Sequence, residues 1–135
     1  MSKLLLGLLG LLGVIYFADA MTKQEVSRLI HNAGNEVRQE YIIQVKAKIK
    51  PVLLGATTPQ ETDCVKNYMS TTYKDLNMYM GMELNKIRSQ YLNLELPELE
   101  SLTEKQEKPK MVRRVKDAVA FMSERLENIR NCTTQ

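Results

Sequence analysis

Tryptophan is absent from this 135-residue sequence, histidine occurs once, and cysteine and phenylalanine occur twice each. A single imidazole with two thiols is too small a set to build the four-ligand zinc sites of Cys and His, and no Ser/His/Asp constellation can be assembled around it. His31 sits beside Asn32, off any apolar stripe, and reads as a surface residue. The glycines are scattered rather than gathered into a phosphate-cradling loop, and no pair of carboxylates stands in visibly contrasting surroundings. The expectation is a non-enzymatic protein without metal or cofactor. A formal net charge of +3 is also too small to point to nucleic acid.

Long apolar runs are missing with one exception. Leu4 to Phe17 follows Lys3 and precedes Ala18-Asp19-Ala20, the pattern of a secretory signal peptide: a positive start, a short apolar stretch and a small-x-small cleavage site. A transmembrane helix needs roughly twenty apolar residues, more than this run supplies. Cleavage after Ala20 is expected, giving a secreted, extracellular chain whose residues 21–135 form one domain; loss of Lys3 and Asp19 leaves the net charge at +3.

Prolines are few and strand-like alternation is lacking, so the remaining signal is helical. Thr22-Lys23-Gln24-Glu25 is a capping box, followed by the stripe Val26, Leu29, Ile30, Ala33, Val37 and Tyr41. Beyond Tyr41 the apolar residues Ile42, Val45, Ile49 and Leu53 lie on a rotated face. Asn32, Gly34 and Asn35 weaken the helix where a kink is plausible, and Pro51 predicts an end or kink near Lys50, with Gly55 closing the segment. The second helix is the organising element. Thr58-Pro59-Gln60-Glu61 marks its start with a cap hydroxyl, a proline in the first turn and a carboxylate. Val65, Met69, Tyr73, Leu76, Met80, Leu84, Ile87 and Tyr91 then recur at steps of three and four. Residues 93–109 read as a connection with room for a short fourth helix at Leu96, Leu99 and Leu102. After Pro109 a regular seam of Val112, Val115, Val119, Met122, Leu126 and Ile129 predicts the third helix, widened by Ala118 and Phe121.

These elements predict an all-α protein, a small antiparallel, up-down-up bundle of three long helices. In that arrangement Cys64, early in the second helix, and Cys132, just past the third, fall at the same end. An even cysteine count in a secreted chain, with no CxxC or Cys/His cluster, argues for one disulfide between them.

Two features bear on a partner. Met78 and Met82 point away from the stripe of Leu76 and Met80, so the second helix is apolar nearly all round at Gly81. The first expectation is that the helix is covered on both sides there, with these methionines as core filling between the first helix and the 93–109 connection; the other is an exposed methionine-rich patch, since methionine, flexible and polarizable, suits surfaces that accept protein partners. The preferred expectation is therefore an extracellular interaction or signalling-type factor that presents Met78 and Met82 to another protein or to itself. The alternative is a carrier of a small apolar ligand or lipid, with Met69, Tyr73, Met80 and Met122 as lining. The second feature is the basic cluster Lys105, Lys108, Lys110, Arg113, Arg114 and Lys116, the one place where this reading allows membrane contact. Arg113-Arg114 also has the form of a processing site, but lies inside the regular seam. Asn131-Cys132-Thr133 has the form of a glycosylation sequon whose middle residue the disulfide requires.

Overall fold

A computed structural model describes residues 21–133. The signal peptide expected at 1–20 lies outside the described residues. Every regular element among the described residues is helical: α1 (Lys23–Gly55), α2 (Pro59–Leu92), α3 (Leu96–Glu100), α4 (Glu104–Ala118) and α5 (Met122–Glu127), with a closing 3-10 turn (Asn128–Cys132).

The caps explain where the two long helices begin. The Thr22 hydroxyl accepts the Glu25 N–H at 3.1 Å while the Glu25 carboxylate accepts the Thr22 N–H, the reciprocal arrangement of a capping box. Thr58 accepts the Glu61 N–H at 3.2 Å, with Pro59 in the first turn, where its missing N–H costs no helical bond.

Apolar stripes from α1, α2 and the C-terminal third meet in two clusters. The larger contains Leu29, Ile30, Val37, Leu76, Met80, Ile87, Met111, Val115 and Met122. The smaller gathers Val45, Ile49, Val52, Val65, Leu126, Ile129 and Cys132 around the cysteines. Burying each such side chain contributes about 1.5–3 kcal/mol. Cys64 and Cys132 are joined, their Cα atoms 5.7 Å apart.

Cross-element contacts follow a definite order. On α1, Arg28, Glu36, Glu40 and Lys48 pair in turn with Glu104, Lys108, Lys116 and Glu127. On α2 the partners descend as the C-terminal third ascends: Tyr91 with Glu107, Glu83 with Arg114, Asp75 with Arg125, and Cys64 with Cys132.

Three local expectations are corrected. Pro51 does not end α1, which runs on to close at Gly55 as expected, and Pro109 lies inside α4 rather than before it. Both prolines are exposed, so the carbonyl each one strips of its helical partner lies on the water side of its helix. α4 starts at Glu104, capped by Thr103, whose hydroxyl accepts the Gln106 N–H. Leu53 is 42% exposed, and Val52 takes the buried place expected of it.

The third long helix is interrupted at residues 119–121. There the bonds Ala120 N–H to Asp117, Met122 N–H to Val119 and Ser123 N–H to Ala120 are all of the i to i+3 type, a tightened turn rather than a disordered break. Val115, Val119, Met122, Leu126 and Ile129 stay buried across it. Tyr41, where the stripe of α1 rotates, donates its hydroxyl to the Val119 carbonyl at 2.9 Å. The junction between the two apolar clusters is thereby pinned by a buried hydrogen bond.

The two mid-helix glycines differ in their surroundings. A Cβ on Gly34 would meet Leu84 Cδ1 at 2.8 Å, so this glycine lets α1 and α2 approach closely. At Gly81 a Cβ would meet nothing within 4 Å.

Candidate functional site

Met78 and Met82 are not core filling: on the flank of α2 that faces away from the core they are 48% and 52% exposed, and Tyr79 between them in sequence is exposed as well. Tyr79 meets Phe121 edge to face, ring centroids 4.8 Å apart. The Arg125 guanidinium lies over the Phe121 ring, 5.2 Å from its centroid, and is paired with Asp75. These contacts hold the rings in place: edge-to-face and cation–π arrangements each add about 0.5–1 kcal/mol beyond burial. The result is an apolar strip of Met78, Tyr79, Met82 and Phe121, flexible on the methionine side and rigid on the aromatic side, bordered by an ion pair.

The sequence alone marks Met78 and Met82. It does not mark Tyr79, Phe121, Asp75 and Arg125. The step of four between Asp75 and Tyr79 was a signal that they share a face, but their partner across the fold is set by the tightened turn at 119–121, which has no glycine or proline to announce it.

The other four residues considered for ligand contact are placed differently. Met80 and Met122 are fully buried in the larger apolar cluster, and Met69 and Tyr73 are half-buried at the margins of the core. An open groove of about 680 Å³ runs beside α2, lined by Cys64, Asn67, Tyr68, Thr71, Thr72, Asp75, Arg125 and Asn128. Its lining includes none of the four.

Much of the basic cluster is matched by acids from its own fold. Lys108 pairs with Glu36, Lys116 with Glu40, Arg114 with Glu83, and Lys110 with Glu107. Lys105 and Arg113 remain exposed without an ion pair among the described residues. Glu107 is buried and also accepts the Tyr91 hydroxyl at 2.9 Å. Desolvation, reinforced by this hydrogen bond and by the carboxylate's charge, pushes the Tyr91 phenol up to about 12.

Asn131 is exposed beside a second groove of about 490 Å³ at the disulfide end, lined with Gly55, Thr58 and Glu61 among others. His31 is exposed and bonded to the Asn35 amide. Among the described residues no three His, Cys, Asp or Glu side chains lie together as a metal set, and no helix is long and apolar enough to cross a membrane. No family model, curated protein or solved structure matches this chain.

Proposed function

We propose that this chain is a secreted, non-enzymatic helical protein that acts by binding a protein partner through the strip of Met78, Tyr79, Met82 and Phe121. In this reading the chain loses residues 1–20, and residues 21–135 form one domain whose three helical segments run up, down and up. The order of the ion pairs between α1, α2 and the C-terminal third supports that topology.

One observation carries the choice of face: two methionines about half exposed, one turn apart, beside an aromatic pair locked by Arg125. Water gains by losing contact with these side chains, and the rigid rings lower the entropy cost of binding on their side. Rigid aromatics with adaptable methionines are also the composition of interface centres. The carrier reading is the weaker one, because Met80 and Met122 are packed against neighbours rather than around a space.

The test has two parts. N-terminal sequencing of protein recovered from the medium of expressing cells is expected to begin at Met21; retention inside the cell with residues 1–20 intact overturns secretion. A photo-crosslinking side chain at position 82 is expected to capture a protein that the same group at exposed Asn35 does not. Equal capture from both positions removes the proposed face.

A further inference from the structure

A second exposed face lies on the C-terminal half of α1. Ile43, Ala47, Lys50 and Leu54 follow one another at steps of four, three and four, which stacks them on one side of the helix. Ile43 and Leu54 are 66% and 77% exposed, more than any other large apolar side chain described, and Leu53 beside them is also exposed. Lys46 and Lys50 stand on the same face, and neither makes an ion pair or hydrogen bond among the described residues. From Tyr41 to Gly55 the chain contains no aspartate or glutamate. Lys48, the third lysine of the stretch, is turned aside to Glu127.

We infer that this face docks onto an anionic lipid surface. About three turns of exposed helix combine apolar side chains able to enter the headgroup boundary with lysines whose alkyl stems cover apolar surface while their ammonium groups reach lipid phosphates. A second copy of the same face is the wrong occupant, since a two-fold contact would bring Lys46 and Lys50 against their own copies with no acid to offset them. The Lys105 to Lys116 cluster is less suited to this role, because Lys108, Lys110, Arg114 and Lys116 already hold intramolecular carboxylates. The lipid face is separate from the Met78 strip, so either can fail alone.

The experiment is vesicle co-sedimentation of the purified protein, its N-terminus established, with phosphatidylcholine vesicles and with the same vesicles containing phosphatidylserine. Binding is expected to the anionic vesicles and to weaken in high salt. Each lysine near an anionic surface is worth about a fivefold gain in affinity, so Lys46→Glu with Lys50→Glu is expected to lower binding by at least about twentyfold. Ile43→Glu with Leu54→Glu is expected to lower it by at least tenfold, while Met78→Glu with Met82→Glu leaves it unchanged. All six positions are exposed, and circular dichroism checks that each variant keeps its helix content. Equal sedimentation with neutral and anionic vesicles, binding unaffected by either α1 pair, or capture of a soluble acidic polypeptide in place of the vesicles overturns the inference.

Discussion

Replacing both cysteines, Cys64→Ala with Cys132→Ala, removes a link between residues 68 apart in sequence. In the chain-entropy description, opening a loop of that length releases about 4 kcal/mol of constraint on the unfolded chain. Domains of this size are stable by about 5–15 kcal/mol, so the loss is a large share of the whole. Cys132 is buried in the smaller cluster, whereas Cys64 is exposed, and alanine is the replacement that puts no new polar group among Val45, Ile49, Val65 and Ile129. Urea unfolding followed by circular dichroism is the assay. With a slope of about 1–3 kcal/mol per molar, the midpoint is expected to fall by about 1–4 M. Reduction of the unmodified protein is expected to give the same shift. The damage is also expected to be local: amide protons of residues 126–132 lose protection first, while those near the Tyr41 to Val119 bond keep theirs. A loss below about 1 kcal/mol, or uniform loss of protection, refutes the view that the smaller cluster depends on the staple.

Other substitutions separate the packing claims. Gly81→Ala meets open space and is expected to stabilise by about 0.5–1 kcal/mol in thermal unfolding, whereas Gly34→Ala forces Leu84 to move and is expected to gain less or to lose stability. Tyr41→Phe deletes the hydroxyl bonded to Val119, but that carbonyl keeps the Met122 N–H, so the expected cost in urea unfolding is about 1 kcal/mol. Tyr91 has a folded pKa raised from 10.0 to about 12, so its contribution is intact below pH 10 and is lost as pH rises through 12. Tyr91→Phe is expected to flatten the alkaline loss of stability between those values; an unchanged profile contradicts the upward shift assigned to burial of Tyr91 beside Glu107.

The fold was legible wherever a local rule acts alone. Thr22 and Thr58 announce their helices because a cap is a bond between residues three apart, and the seam from Val115 to Ile129 is read correctly because it is a spacing rule. The same spacing concealed the turn at 119–121: tightening from i+4 to i+3 bonds leaves apolar residues on one side, so periodicity cannot register it. The start of α4 carried a missed signal in Thr103 and Gln106, outweighed by a proline that the exposed side of a helix tolerates. Gly34 and Gly81 look alike in sequence, and only the position of Leu84 distinguishes a close approach from an open site. Half of the candidate face, Met78 and Met82, was visible as apolar residues on the wrong side of a helix. The other half depends on which neighbour brings Phe121 and Arg125 to Tyr79, which is a property of packing.

The central claim is tested most directly by the affinity of the protein captured from position 82 for four forms of this chain: unmodified, Met78→Glu with Met82→Glu, Tyr79→Ala, and Ile43→Glu with Leu54→Glu. Loss of two buried methionine contacts is worth at least about 2 kcal/mol, so the methionine pair is expected to weaken binding at least about thirtyfold. Tyr79→Ala is expected to weaken it as well, and the α1 pair to leave it within about twofold. Full affinity in the methionine variant, with its helix content unchanged, contradicts the account.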